Sequence, residues 1–307
     1  MIASVGVVGA GAMGTLLGVH LARAGCELEF LVKTALEARR LRERGLVLKG
    51  GALLRAGAAS STRSGLKGAK RFVFLMVKSL DTASGLRDCS AWVGPETWVV
   101  SLQNGLTHVR EMRERVGVDR AVLGTTTCGA TMLGVGEARL AGLGETVVGG
   151  FGESSQEGAR QVAALLRESG LPARTSRDIR KDLWNKLLVN ACVNPVGAVL
   201  GWKNGELAEA RHTRDLMRRL AEEAAPVAQA ETKSDVSVLG LYRRVLSVCR
   251  KTAENRCSML QDLERNRATE VDSITGEIVR IGKRHGFSLP THEAMSQLVK
   301  ALEGKGA

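Results

Sequence analysis

The sequence is poor in aromatic residues: Phe, Trp and Tyr make up 3% of its 307 residues, and there is a single tyrosine. Proteins that bind single-stranded nucleic acids stack bases on aromatic side chains, so this scarcity argues against such a surface. The net charge of +12 favours an anionic partner, but basic and acidic residues are mixed and no DNA-reading motif is present. We therefore predict no nucleic-acid partner and interpret the charge as a solvated basic surface.

Metal-binding cysteine patterns and export signals are also missing. The six cysteines are scattered, without a CxxC motif or a Cys/His ligand spacing. The first charged residue is Arg23, whereas an export signal begins with basic residues, and glycines interrupt the apolar N-terminal run. These absences predict no metal site, no membrane partner and a cytoplasmic protein with free thiols.

The first part of the chain alternates short apolar runs with amphipathic stretches. The apolar runs are residues 5–8, 28–32, 72–77, 98–102 and 121–123. Such runs are typical of buried parallel strands, and helical patterns at residues 12–24 and 35–44 separate some of them. The pattern predicts an α/β Rossmann-type, doubly wound domain over residues 1–174.

Strand signals disappear after residue 176. Helical periodicity runs through residues 179–200, 206–231, 239–262 and 269–286. At 307 residues the chain is long enough for two domains with separate cores. We therefore predict an all-α second domain over residues 175–307.

A glycine-rich turn follows the first predicted strand. Residues 9–14, GAGAMG, match the pattern GxGxxG between a strand and an amphipathic helix. In that context Gly9 permits the tight turn, Gly11 lets the backbone approach a pyrophosphate, and Gly14 lets the helix pack on the strand. The motif predicts a dinucleotide site formed by Gly9, Ala10, Gly11, Ala12, Met13 and Gly14.

Two lysines follow predicted strands at the sheet edge where such cofactors bind. NAD-binding proteins place an acidic residue after the second strand, whereas this sequence has Lys33 there. A cation attracts the 2′-phosphate of NADP and a carboxylate repels it, so Lys33 favours NADPH and NADP+. Lys78, directly after the predicted strand at 72–77, is a second candidate cofactor contact.

Residues 183–201 are apolar on nearly every side of a predicted helix, with three informative exceptions. Lys186, Asn190 and Asn194 lie four residues apart and therefore on one side of that helix. Buried polar groups without partners cost about 1 to 3 kcal/mol each, so this row implies either a ligand or an internal polar network. A lysine there can donate a proton to a carbonyl as hydride arrives, and none of the five histidines lies in the row.

The residues Thr269, Glu270, Val271 and Asp272 resemble a capping box at the start of the last predicted helix. Capping accounts for Thr269 and Asp272 and leaves Glu270 without a capping role. A carboxylate at Glu270 can orient or tune Lys186, although the spacing alone does not require it.

Seven segments together resemble the ketopantoate reductase family, whose members reduce 2-dehydropantoate to pantoate. They are GAGAMG at 9–14, QNG at 103–105, GTTT at 124–127, WNKLLVNACVNPVGAV at 184–199, NGEL at 204–207, SMLQD at 258–262 and TEVDSITG at 269–276. The resemblance runs the length of the chain. It implies an N-terminal Rossmann domain, a helical C-terminal domain and a site in the cleft between them.

The resemblance also implies residue roles and a reaction. Lys186 is the general acid, and Glu270 is the carboxylate that assists catalysis and substrate placement. The substrate-binding residues are Asn104, Asn190, Asn194 and Ser258, of which Asn104 also lies near the nicotinamide. We therefore predict an NADP-dependent 2-dehydropantoate 2-reductase of pantothenate and coenzyme A biosynthesis. Its partner is a small-molecule 2-keto acid, and a homodimer is left open.

Three alternatives remain open from the sequence. Paralogues with these motifs act on other 2-keto acids, and Lys33 stands where family members often carry arginine. A 3-hydroxyacid dehydrogenase also pairs a Rossmann domain with a helical one, although its catalytic helix has a different spacing from the KxxxN found here. In a noncatalytic NADP-binding regulator, Lys186 and Glu270 would be structural.

Overall fold

The structure, a computed structural model, describes residues 3–51, 53–54 and 57–304. These residues form two compact units. The first comprises the chain up to Gln103 together with His108–Ile179, and the second comprises Asn104–Thr107 together with the chain from Arg180 onward. The units separate a few residues beyond the predicted boundary at 174/175, because residues 173–175 still pair with the sheet of the first unit.

The first unit is built on a sheet with mainly parallel strands. Its strands are β1 (Ser4–Val8), β2 (Glu27–Leu31), β3 (Val47–Leu48), β4 (Ala58–Ser60), β5 (Phe72–Leu75), β6 (Trp98–Ser101), β7 (Ala121–Thr126), β8 (Gly129–Gly134), β9 (Glu137–Gly142), β10 (Thr146–Gly150) and β11 (Ala173–Thr175). In the described residues, eight of them form one sheet in the order β11-β10-β7-β6-β5-β1-β2-β4. β10 and β11 run antiparallel to the other six. All five apolar runs are strands of this sheet, which confirms the predicted doubly wound α/β fold.

Helices cover the sheet, and its strand order places the dinucleotide motif. The helices are α1 (Ala12–Arg23), α2 (Ala35–Arg44), α3 (Thr82–Asp88), α4 (Thr107–Arg115) and α5 (Glu153–Glu168). Fully buried side chains such as Val7, Phe30 and Phe74 form the core beneath them. From β1 the chain continues to β2 on one side, and later β5 pairs with β1 on the other side. Such a switch in strand order is where open α/β sheets bind ligands, at the carboxyl ends of the strands.

A second, three-stranded sheet with the order β3-β9-β8 was not predicted. β8 begins and ends with glycine, and none of its residues is buried. Only one residue of β9, Ala138, is buried. Because strands with so little buried surface lack the apolar signal that identifies a strand, the sequence pattern does not reveal them.

The second unit is helical, as predicted, with no strand among its described residues. Its helices are α6 (Ile179–Leu200), α7 (Asn204–Glu209), α8 (Arg211–Thr232), α9 (Val238–Lys251), α10 (Ser258–Leu263), a π-helix (Asp272–Gly276), α11 (Glu277–Arg284) and α12 (Pro290–Glu303). Two predicted helical stretches break where Ala210 and Cys257 are extended, without the proline or glycine that usually marks a helix end. None of the described helices is both long and apolar enough to span a bilayer.

Candidate active site

The glycine-rich turn connects β1 to α1, and each glycine meets a different requirement. Gly9 has a φ of +101°, in the region that glycine adopts without strain. A Cβ on Gly14 would lie 2.0 Å from the carbonyl oxygen of Gly9, so only glycine lets α1 pack this closely on the turn. A Cβ on Gly11 would meet no atom within 4 Å, so the backbone there borders open space. Since α1 has neither a side-chain cap nor an acidic residue in its first turn, residues 9–14 fit the phosphates of a dinucleotide.

The turn is fastened to the ends of both neighbouring strands. The Gly9 N–H donates to the carbonyl oxygen of Leu31, at the end of β2, over 2.8 Å. On the other side, the Met76 N–H, directly after β5, donates to the carbonyl oxygen of Val8 at a distance of 2.8 Å. The segments that carry Lys33 and Lys78 therefore lie at the same sheet edge as the glycine turn.

Lys33 is paired with a carboxylate that the sequence analysis missed. Its Nζ lies 2.8 Å from Oδ2 of Asp81. Asp81 ends a short 3-10 helix (Ser79–Asp81) that begins directly after Lys78. The signal that identifies Asp81 is its position: Lys33 follows β2, Asp81 follows β5, and the carboxyl ends of parallel strands share one edge of the sheet, although β1 lies between these two strands.

Gln103, in the QNG segment, fixes the loop after β5. Its Nε2 donates to the carbonyl oxygen of Val77 and to Oγ1 of Thr82, and both donor–acceptor distances are 2.9 Å. Its Oε1 accepts a hydrogen bond from Ser101 over 2.9 Å. The residue is buried, so its role is to hold this loop, and sequence reasoning had given it none.

The predicted polar row lies on one continuous helix, α6. Lys186 and Asn190 are half-buried, and Asn194 is 5% exposed. Among the residues that the structure describes, the side-chain amides of Asn190 and Asn194 have no hydrogen-bond partner. The internal polar network that the sequence left as an alternative is thus not found for these two amides. Neither amide is among the buried unpaired polar atoms of the described residues, so both reach solvent and are available to a ligand.

Cys257 connects the predicted substrate residue Ser258 to this row. Ser258 is exposed and begins α10, where the Cys257 thiol accepts a hydrogen bond from the Leu260 N–H over 3.4 Å. The same thiol donates to the backbone oxygen of Asn194 over 3.4 Å. Burial raises the pKa of Cys257 to about 11, so the thiol keeps the proton that it donates at neutral pH. Ser258 and Asn194 are therefore brought together through Cys257, a cap that sequence reasoning missed because Ser, Thr, Asp and Asn are the usual caps.

Asn104 and Glu270 are hydrogen-bonded within the second unit. The Asn104 Nδ2 donates to Oε2 of Glu270 over 3.0 Å, and both residues are half-buried. Gly105 has a φ of +78°, and a Cβ there would lie 2.3 Å from the carbonyl oxygen of Ser273. Glycine at this position therefore lets the Asn104 segment lie directly against the π-helix that follows Glu270. π-Helical turns occur frequently at functional sites.

Thr269 does cap this segment, but the predicted reciprocal box between Thr269 and Asp272 is wrong. The Thr269 hydroxyl accepts from the Val271 N–H, and its N–H and hydroxyl both donate to Glu303. The Asp272 carboxylate lies 2.5 Å from Nζ of Lys300. The reason is that α12 supplies competing partners: Glu303 accepts from the Thr269 N–H in place of Asp272, and Lys300 pairs with the Asp272 carboxylate. Glu270 keeps the contact with Asn104.

Two family models match most of the chain. "Ketopantoate reductase PanE/ApbA" matches residues 5–153, and "Ketopantoate reductase PanE/ApbA C terminal" matches residues 178–303. The 2-dehydropantoate 2-reductase of Archaeoglobus fulgidus is 34% identical over 97% of this chain and 97% of its own length. That of Pyrococcus horikoshii is 31% identical over 98% of this chain and 97% of its own length.

Solved structures share the fold of the whole chain. D-mandelate dehydrogenase with NADH and anilino(oxo)acetate has a TM-score of 0.92 and 27% identity, covering 98% of both chains. A PanE/ApbA family ketopantoate reductase from Ralstonia eutropha has a TM-score of 0.86 and 29% identity, covering 98% of this chain and 99% of its own. These matches confirm the resemblance that the motifs indicated. The chain therefore belongs to the ketopantoate reductase family of oxidoreductases.

Proposed function

We propose that the protein reduces 2-dehydropantoate to pantoate with NADPH, a step of pantothenate and coenzyme A biosynthesis. The observation that carries the proposal is the row of Lys186, Asn190 and Asn194 on α6, whose two amides have no partner among the described residues. A keto acid with a carboxylate and a hydroxyl supplies the acceptors and the donor that such amides need. The names of the relatives from Archaeoglobus and Pyrococcus support this substrate.

The first unit holds the cofactor in this proposal. Open space at Gly11 and the uncapped start of α1 support a pyrophosphate at that turn. Its cofactor-binding residues are Gly9, Ala10, Gly11, Ala12, Met13 and Gly14, with Lys33 and Lys78 as further contacts, and Asn104 of the second unit is an additional contact near the nicotinamide. When bound, NADPH supplies the hydride that reduces the keto carbon. Lys33 favours the cofactor with a 2′-phosphate.

The second unit supplies the groups that bind the keto acid and deliver a proton. The Lys186 ammonium donates that proton to the carbonyl oxygen as negative charge develops there. Asn190, Asn194 and Ser258 hold the carboxylate and the hydroxyl. The Asn104 amide fixes one oxygen of the Glu270 carboxylate, which in turn orients Lys186 and the substrate.

We place the enzyme in the cytoplasm. All six cysteines are free, as thiols are in a reducing compartment. The partner there is the small 2-keto acid.

The similarity to D-mandelate dehydrogenase favours a second candidate function. That structure holds NADH and anilino(oxo)acetate, and it covers 98% of this chain. A reductase of an aryl 2-keto acid would use the same lysine and amides, because the carboxylate and the carbonyl are common to both substrates. The two candidates differ in the group beyond the keto carbon and in the cofactor.

Steady-state kinetics with a panel of keto acids tests the proposal. Oxidation of NADPH and of NADH is followed with 2-dehydropantoate, 2-ketoisovalerate, pyruvate and benzoylformate, the keto acid that corresponds to mandelate. We expect the highest kcat/KM for 2-dehydropantoate with NADPH. Preferential turnover of benzoylformate would establish the second candidate instead. Absence of turnover with every keto acid would refute both and favour a noncatalytic regulator.

A further inference from the structure

An exposed ion pair between Lys33 and Asp81 carries a further inference. The Lys33 Nζ lies 2.8 Å from the Asp81 Oδ2, and the Lys33 side chain is 68% exposed whereas that of Asp81 is 33% exposed. Ion pairs with this exposure contribute little to stability. The pair therefore opens at small cost when a charged ligand competes for either partner.

The position of the pair relates it to the glycine turn. Lys33 follows β2 and Asp81 follows β5, and these strands flank β1. Hydrogen bonds tie this end of β1 to both flanking segments: the Gly9 N–H donates to the carbonyl oxygen of Leu31, and the Met76 N–H donates to the carbonyl oxygen of Val8. The pair thus lies at the carboxyl edge of the sheet, where Rossmann domains read the ribose next to adenine.

A second carboxylate near Lys33 in sequence is already engaged elsewhere. Glu37 forms a reciprocal capping box with Thr34 at the start of α2, with both hydrogen bonds at 3.1 Å. Its carboxylate accepts from the Thr34 N–H and is held at the helix terminus. The charge of Lys33 is therefore balanced by Asp81 and not by Glu37.

We propose that Asp81 sets the choice between NADPH and NADH, an inference that rests on the dinucleotide site of the proposed function. Its carboxylate competes with a 2′-phosphate for the Lys33 ammonium and repels that phosphate. With NADH, the same carboxylate accepts a hydrogen bond from the ribose 2′-hydroxyl. The enzyme therefore uses both cofactors, and its preference for NADPH is narrower than Lys33 alone would give.

Equilibrium binding without keto acid tests this role. The affinities of NADPH and NADH are measured by titration calorimetry for the wild type, Asp81→Asn, Lys33→Asp and Asp88→Asn. We expect Asp81→Asn to raise the ratio of NADPH to NADH affinity by about tenfold, and Lys33→Asp to reverse the preference. Asp88→Asn is the matched control, because Asp88 is exposed, ends α3 and has no ion pair among the described residues. It should leave the ratio within about twofold.

A second pair of probes assigns the effect to the 2′-position. Adenosine 2′,5′-bisphosphate and AMP lack the nicotinamide, so the same shift in their affinity ratio is expected in Asp81→Asn. An unchanged ratio in Asp81→Asn, or an equal shift in Asp88→Asn, would overturn the proposal. Because the titrations contain no keto acid, failure to reduce 2-dehydropantoate leaves the inference standing, whereas a wild type that binds neither dinucleotide refutes the cofactor site and the inference together.

Discussion

The side-chain amide of Asn104 holds the carboxylate of Glu270 across 166 residues of sequence, with a 3.0 Å hydrogen bond. The approach depends on Gly105, whose positive φ and missing side chain let the segment lie against Ser273. The loop that follows β6 therefore helps to hold the carboxylate of Glu270. In the proposed reaction these two residues act as a coupled pair.

A double-mutant cycle on Asn104→Ala and Glu270→Gln tests whether the two residues are coupled. Each variant should lower kcat/KM for the keto acid. The increase in activation free energy of the double variant should be smaller than the sum of the two single increases, with a coupling energy of about 0.5 to 3 kcal/mol. Asn185→Ala is a control partner for Glu270→Gln, because the Asn185 side chain is bonded to Arg244. That second cycle should be additive. Additivity in the Asn104–Glu270 cycle would show that the hydrogen bond has no part in turnover.

Replacing Lys186 by alanine separates an enzyme from a regulator. Because Lys186 is the proposed proton donor, Lys186→Ala should lower kcat by about 10²- to 10⁴-fold and leave the affinity for NADPH nearly unchanged. Turnover is measured by NADPH oxidation and affinity by titration with the same preparations. Lys181→Ala, on the exposed side of α6, is the control and should keep wild-type turnover. Retained turnover in Lys186→Ala would remove the general-acid role.

The variant Asn194→Leu tests whether Asn194 binds a ligand or has a structural role. Because its amide has no partner among the described residues, Asn194→Leu removes no internal hydrogen bond and should leave the free energy of unfolding within about 1 kcal/mol of wild type. The same variant should raise KM for the keto acid about tenfold, since a charge-assisted hydrogen bond to substrate is worth about 1.5 to 3 kcal/mol.

Asn204→Leu is the matched control for Asn194→Leu. Asn204 is also a buried asparagine of the second unit, but its Nδ2 donates to Oγ1 of Thr252 over 2.8 Å. We expect Asn204→Leu to lower the free energy of unfolding by about 1 to 3 kcal/mol and to leave KM unchanged. Destabilisation by Asn194→Leu with an unchanged KM would show that Asn194 is structural.

The parts of the site that were predictable follow from one helix or one turn. A spacing of four residues is enough to predict the polar row on α6. A strand followed by a helix is enough to predict the roles of Gly9, Gly11 and Gly14. Both were therefore visible in the sequence, as was the parallel sheet formed by continuous apolar runs.

The parts that were not predictable depend on contacts between segments distant in sequence. Asp81 matters because β2 and β5 lie on either side of β1, and nothing near Lys33 in sequence indicates its partner. The capping box failed at Thr269 because Glu303, on another helix, offers a charged acceptor. Cys257 was missed because its thiol takes a role that hydroxyl and carboxylate side chains usually fill.

The carboxylate of Glu223 should make the stability of the second unit dependent on pH. Burial by itself would raise the pKa of Glu223, but hydrogen bonds from His292 and Thr291 hold it at about 2. Because this pKa lies below the ordinary value of 4.5, the carboxylate stabilises the fold at neutral pH, and that contribution is lost as pH falls from about 4.5 towards 2.

Glu223→Gln should therefore lower the free energy of unfolding in urea by about 1 kcal/mol or more at pH 7, and the difference from wild type should shrink towards pH 3. Glu222→Gln, at an exposed residue whose carboxylate lies 3.7 Å from Arg218, should stay within about 0.5 kcal/mol of wild type throughout. A difference for Glu223→Gln that is the same at pH 7 and pH 3 would contradict the role of its charge.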